Sequence, residues 1–585
     1  MTDIPANPFE RRRLLGRVIE VRDGSLKVHL PRAAQPNRGF TYGTEMRGGE
    51  VGEMVFVEVG SAAVFGRIAR VYLPESYTGD LEDQFEGTKT QRVFAHIDLL
   101  ATLNLVTGDT GVGVAQYPRI GSNIYSAAPE HIAYVLRTVR SKHLANDSAR
   151  QLTLGHIQAE TSLAVEVHAG ELFSRHAAIV GNTGGGKSWT TARLVEQLAA
   201  TDVKTILVDP TGEYHSVLKE QKHFLIGSDD GDDSGGKVVD IPYRSLKRDD
   251  LFAMFTPAAR TQLPILRQAI ASLKLVEIIR KNETSTPAGF HENNGILWKA
   301  NKIKKTVHQL QRKYVSEIGT PNLDFDADKL AQQIRHECVY ETDRKKDGHW
   351  GGFNEQQLGY CTSLHLRIAD CIKSESFRCI FSPEKNRPSL FNELSSFLDS
   401  DENNFARISL RNVGFSHNVR EIIVNAIARF LLDNARQNKF RNNPVIFIVD
   451  EAHNFLSVAP GDEFATFPLD STELIAREGR KYGIYLGLVT QRPRDLPRPI
   501  FSQIGSFIAH RLTNEQDRNS LAFACSEMTA NSLHQLPVLD RGEALILGPA
   551  FPIPVPIQIS RPHSAPDSSD PLADARPDLQ RDSKH

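Results

Sequence analysis

Nowhere in the 585-residue chain do 18 apolar residues run together, so the sequence predicts no membrane-spanning helix. The first 15 residues carry three arginines, Arg11 to Arg13, with no apolar run behind them. That pattern predicts no export signal and a cytoplasmic location. Cysteine is scarce: Cys338, Cys361, Cys371, Cys379 and Cys525 are an odd number without a C-x-x-C pair. Reduced thiols are expected rather than a disulfide framework or a structural zinc site. Charge of either sign is not in surplus, with 69 Lys and Arg against 71 Asp and Glu. No whole-molecule field steers the chain to nucleic acid or acidic lipid, so a polyanion must meet a local patch. No internal repeat at a period of 20 to 50 residues is visible either, which excludes a solenoid or propeller.

What is present is an ordinary globular composition, 40% hydrophobic and 24% charged, with length enough for about three to five domains. Residues 14 to 73 alternate in short runs such as Leu26-Lys27-Val28-His29-Leu30 and Val55-Phe56-Val57-Glu58-Val59, separated by glycine turns. This texture predicts a small antiparallel barrel or sandwich, and strand-like runs up to Val167 extend the expected β-rich domain over residues 1–168. An α/β texture follows: an apolar strand over 176–180, a helix from Ser188 and a second strand at 205–209. A strand, helix and strand in about 35 residues make a βαβ unit with parallel strands. The first part of an α/β core is therefore expected over 169–243, including an acidic loop at 227–236. A mostly α-helical insertion is expected over 244–400, where apolar residues recur at three-to-four-residue steps, and the rest of the core over 401–562. The Pro-, Ser- and Asp-rich stretch 563–585 is expected to be disordered.

The most specific signal is Gly181-Asn182-Thr183-Gly184-Gly185-Gly186-Lys187-Ser188, a G-x-x-x-x-G-K-S sequence between an expected strand and an expected helix, with Trp189 next. Its glycines let backbone N–H groups and the helix N-terminus face an anion. Lys187 is placed to reach the β and γ phosphates of ATP, and Ser188 to hold Mg²⁺. A second apolar strand, 445–449, ends in Asp450-Glu451. Acids at the C-terminal tip of a buried strand are delivered where an open α/β sheet binds its ligand. Asp450 is expected to complete the Mg²⁺ shell and Glu451 to act as general base on water. Gln491 tips a third strand as a candidate γ-phosphate sensor. Asp209 ends the second strand, as a partner of the metal or of Lys187, or as a turn former. Arg175 precedes the P-loop strand at the end away from the phosphates; it is either a surface ion pair or a finger for a neighbouring subunit. Arg477 and Arg480, at a helix end before the sensor strand, leave the same two possibilities.

These residues resemble the HerA-type ATPases of the FtsK/HerA group of hexameric DNA translocases. The resemblance covers roughly residues 10 to 560 and rests on Arg175-His176 leading into GNTGGGKS, then VDPTGEY, FIVDEAH, AREGRKYG followed by TQRP, and GEALILG. The N-terminal part resembles the HAS barrel that precedes this RecA-like P-loop core. The resemblance implies a ring, usually of six subunits, that moves double-stranded DNA through a channel by ATP hydrolysis. It assigns Arg175, and Arg477 or Arg480, to the inter-subunit nucleotide site. It also implies an effector partner: a NurA-type nuclease in end processing, or another nuclease or a sirtuin-like NAD hydrolase on the N-terminal face in anti-phage defence. Residues 271–316 hold nine Lys or Arg against three Glu, which is either a phosphate-tracking face or a solvated helix. Asp450-Glu451-Ala452-His453 also spells a superfamily 2 helicase box, but no Q-x-x-G-R-x-x-R follows; nor is there an L-S-G-G-Q of an ABC ATPase. The remaining alternative is a ring scaffold that switches an attached effector without processive movement.

Overall fold

The computed structural model describes residues 7–34, 39–41, 44–46, 48–73, 93–139, 148–157, 160–227, 235–384, 386–456, 461–462, 465–525, 528, 530–548, 551, 553–554 and 556–567. The chain divides into two compact units, one of residues 1–197 and 504–562, the other of residues 198–503 and 563–585.

In the first unit the alternating N-terminal sequence closes into a barrel. Strands Leu14–Arg22, Ser25–His29, Met54–Val59, Ala62–Tyr72, Phe94–Asn104 and Asn123–Ser126 form it, and antiparallel pairing of Ser25–His29 with Phe94–Asn104 shuts the sheet on itself. Closure leaves those two strands without an open edge. One face of each strand fills the interior with Leu15, Val18, Leu26, Val28, Val55, Val57, Val64, Ile68, Ala95, Ile97 and Ile124, each such side chain contributing about 1.5–3 kcal/mol when Val, Leu or Ile.

The same unit holds a second run of strands in the order Glu160–His168, Gln151–Ile157, Pro556–Ile559, Glu543–Leu547, Ser506–Ala509 and Ala177–Val180. Ala177–Val180 runs parallel to Ser506–Ala509, while the strands beyond are antiparallel. The hairpin 151–168 therefore belongs to the sheet that carries the P-loop strand, not to the barrel, where the expected domain 1–168 put it. Alternation alone assigns a strand no partner; here Gly155 faces Ile559, a residue 404 positions away.

The second unit carries six parallel strands in the order Ile484–Thr490, Val445–Val449, Lys204–Asp209, Phe405–Ser409, Lys222–Ile226 and Lys237–Val239. Val445–Val449 and Phe405–Ser409 are buried at every position, as expected of strands covered on both faces. Helices Val419–Arg436 and Ser471–Glu478 lie in the crossovers of this sheet. Between Lys237–Val239 and Phe405–Ser409 the chain is mainly helical, its longest members being Gln262–Asn282 and Glu355–Lys373. Asn354 caps the latter, its side chain accepting from Gln357 N at 3.2 Å. This segment has its own core around Leu275, Ile279, Leu297, Leu310 and Trp350.

Part of the basic stretch is engaged within the segment. Lys274 is buried and donates to Thr320 O at 2.5 Å, Lys299 pairs with Glu337, Arg280 with Glu292 and Lys313 with Glu283. The acidic loop lies outside the described residues except Gly227, Gly235 and Gly236. Of the expected disordered stretch only residues 563–567 are described; there Ser216 Oγ donates to Ala565 O at 2.6 Å and Asp567 N to Glu213 O at 2.8 Å. All five cysteines are buried and unpaired as disulfides, and no described helix is long and apolar enough to cross a membrane.

Candidate nucleotide site

Four buried apolar residues, Ala177–Val180, bring the chain to the P-loop, and the helix Lys187–Ala199 starts directly after it. Gly184 and Gly186 hold φ of 75° and 113°, values a side chain resists. Space adds a second constraint at Gly186, because a Cβ there would lie 3.1 Å from Gly542 Cα. Lys187 Nζ donates to Asn182 O at 3.1 Å, so the lysine lies folded over its own loop. Asn182 is fixed in turn: its Nδ2 donates to Thr513 Oγ1 at 2.7 Å and its N to Arg511 O at 2.9 Å. Thr183 and Gly184 form the exposed crest of the loop, with Ser188 and Trp189 half-buried behind it.

His510, fully buried beneath this loop, was not singled out from the sequence. Its ring bridges Thr190 Oγ1 at 2.8 Å and the carbonyl of Glu543 at 2.7 Å. Burial, with Lys187 nearby, holds its pKa down to about 4. The neutral ring therefore donates to the Glu543 carbonyl and accepts from the Thr190 hydroxyl. This clamps the P-loop helix to the strand pair that follows Ser506. Sequence showed only a histidine after an apolar strand, because both partners are distant in the chain.

Arg175 lies at the opposite end of the P-loop strand, with five residues between it and the loop, four of them the strand itself, which spans about 13 Å. It is exposed, and no described residue pairs with its side chain. His176 beside it is fully buried at φ 67°.

In the second unit Asp450 follows the strand Val445–Val449 and is almost fully buried. Burial above all, then the negative charges of Glu451 and Asp209, push its pKa well above the usual carboxylate range. An excess of buried negative charge of this kind fits a divalent cation. Glu451 adopts the left-handed conformation, φ 45° and ψ 43°. Its Oε2 is 3.4 Å from His453 Nδ1, which is 3.1 Å from Thr490 Oγ1. The general-base candidate is thus tied to the tip of the neighbouring strand, where Gln491 sits half-buried.

Asp209 meets a different set of partners. One oxygen receives Arg407 Nε at 2.7 Å and Tyr214 N at 3.1 Å, the other Gly212 N at 2.8 Å. Arg407 is 1% exposed and went unnoticed in the sequence, where one arginine in an apolar strand carries no motif. The last two candidates diverge: Arg477 pairs with Glu473 one turn back, whereas Arg480 is exposed with no partner among the described residues.

Residues 152–337 match the family described as helicase HerA, central domain, so the match continues from the P-loop into the helical segment. The chain is 24% identical over 491 residues to the probable helicase MJ1565 of Methanocaldococcus jannaschii, covering 82% of this chain and 78% of that protein. It is 25% identical over 437 residues to the probable DNA double-strand break repair helicase HerA of the same organism, covering 70% and 76%. The solved structure of VirB4 of Thermoanaerobacter pseudethanolicus aligns with 73% of this chain and 98% of that one, at 15% identity and a TM-score of 0.44.

Proposed function

We propose that this chain, a HerA-type P-loop ATPase by its central segment and its relatives, is an ATP-driven double-stranded DNA translocase that works as a ring of six copies. The observation that carries the reading is the P-loop strand, with a phosphate loop at one end and, at the other, an exposed arginine whose side chain has no partner among the described residues. A copy cannot bring Arg175 to its own loop. A head-to-tail neighbour can, and head-to-tail contacts that close generate rings. A finger supplied in trans stabilises charge on the transferring phosphoryl group. Arg480, also exposed and without a partner among the described residues, is the second candidate for that role.

In this reading the loop amides of Gly181–Gly186 and Lys187 bind the ATP phosphates, and Glu451 takes a proton from the attacking water. Ser188 and Asp450 hold Mg²⁺, which when bound neutralises charge on the phosphates. Gln491 orients the water or senses the γ phosphate, and Asp209, paired with Arg407, keeps the adjoining turn in place by accepting from Gly212 N and Tyr214 N. The DNA double-strand break repair helicases among its relatives support DNA as the polymer moved; the partner in this reading is a nuclease or another effector, in DNA end processing or anti-phage defence.

DNA stimulation of ATP hydrolysis tests the motor reading directly. Duplex DNA is expected to raise the rate several-fold in the assembled complex, and Glu451→Gln to abolish effector output. A rate indifferent to DNA, together with an effector that works normally with Glu451→Gln, would establish the ring scaffold instead.

A further inference from the structure

A cavity of about 600 Å³ opens within the helical segment, between the start of helix Gln262–Asn282, helix Lys305–Lys313 and the start of helix Glu355–Lys373. It is separate from the groups assigned to ATP above, and its chemistry is specific. Two of its lining residues, Lys299 and Glu337, are a buried ion pair. Glu337 Oε1 also accepts from Gln333 Nε2 at 2.8 Å. Their charges cancel, so this wall asks for no ionic ligand. Trp350 supplies an aromatic surface, with Lys299 Nζ 5.4 Å from the ring centroid and the His308 ring edge-on at 5.8 Å. Burial and the cations Lys304, Lys299 and Arg312 hold the His308 pKa below its ordinary value, which leaves one ring nitrogen to donate and one to accept.

Three glutamines also line the cavity: Gln268, Gln311 and Gln357. Gln357 Oε1 is buried and receives no hydrogen bond from the described residues. A primary amide presents a donor and an acceptor side by side, the pattern found on the edge of a base, and glutamine is a bidentate partner of adenine. A purely apolar occupant would leave these amides unsatisfied, at a cost for each. Arg260 and Lys299 in the lining are matched by Glu337 and Glu341, so the cavity carries no surplus positive charge for an inorganic anion. The occupant that satisfies a neutral wall, an aromatic surface and paired donor–acceptor edges is a planar heterocycle, and the volume lies in the range of small-molecule sites.

We propose that this cavity binds a nucleobase, presented either by a free nucleoside or by an unpaired base of a strand. The inference does not rest on the ATPase reading. Equilibrium dialysis of the full chain with adenosine, guanosine, cytidine and thymidine, and with a single-stranded 20-nucleotide DNA, tests it. Gln268 is exposed and Gln311 half-buried, so Gln268→Ala and Gln311→Ala are expected to keep the circular dichroism spectrum and basal ATP hydrolysis of the wild type. Each is expected to weaken binding of at least one probe about five- to tenfold. Sensitivity confined to nucleosides assigns the site to a free ligand, and sensitivity confined to the oligonucleotide assigns it to a strand. If no probe binds, or if every bound probe is unaffected by both variants, the proposal is overturned.

Discussion

Glu451 combines a left-handed backbone with a carboxylate aimed at His453, and strain of this kind, of order 1–3 kcal/mol, persists where the surrounding structure fixes it. Because its backbone amide is bonded to Asp450 Oδ1 at 2.8 Å, the side chain can change without releasing the turn. Glu451→Gln is therefore expected to bind ATP as the wild type does and to lose about 100-fold or more of turnover. Filter binding and phosphate release measure the two separately. Lys187→Ala is expected to lose binding itself, and chelating Mg²⁺ to stop turnover in the wild type. His510 permits a pH test. The unfolded chain takes up a proton near the ordinary 6.5, which the folded chain refuses until about 4. The stability this group contributes is complete above pH 6.5 and is lost as pH falls from there towards 4. Denaturant titrations at pH 7 and pH 4.5 are expected to show a smaller loss for His510→Gln than for the wild type. Lys187 and Glu451 were legible because their motifs are local. His510 was not, since its meaning comes from Thr190 and Glu543, which are near it only after folding.

At the scale of elements, four of the six parallel strands were readable because each is short and mostly apolar. The strands Lys222–Ile226 and Lys237–Val239 escaped because they follow and flank a polar stretch and begin with lysine. Pairing was less visible still. Arg407 sits mid-strand with both neighbours apolar, and only the sheet order, which sets Phe405–Ser409 beside Lys204–Asp209, gives it Asp209 as partner. Arg407→Met would strand a fully buried carboxylate, and a loss of about 3–5 kcal/mol in unfolding free energy is expected. Urea titration reads it, and a loss under 1 kcal/mol would mean that the turn amides alone satisfy Asp209. Gly483 offers a backbone counterpart: at φ 81°, a Cβ there would meet Phe440 O at 2.0 Å. Gly483→Ala must therefore shift the turn that launches the sensor strand Ile484–Thr490, and a lower melting temperature is expected.

For the whole molecule, near-zero net charge first weighed against nucleic acid, and the proposed ring would remove that objection, since six copies of a modest patch would line one channel. Lys274, Arg280, Lys299 and Lys313, four of the nine cations in the basic stretch 271–316, are spent on neighbouring carboxylates and carbonyls, so its excess charge overstates what it offers a phosphate. Neither charge counting nor helical period could show this, because both ignore what each lysine touches. The ring itself is tested by mixing subunits. Arg175→Ala keeps the phosphate loop and Lys187→Ala keeps the arginine, so neither variant hydrolyses ATP alone if the finger acts in trans. In an equal mixture each junction pairs an intact loop with an intact neighbouring arginine about one time in four, and recovery towards roughly a quarter of wild-type ATPase activity is expected. Mixed assemblies verified by mass photometry that stay inactive at every ratio would return Arg175 to the surface, and the same mixture made with Arg480→Ala would then decide whether that arginine is the finger.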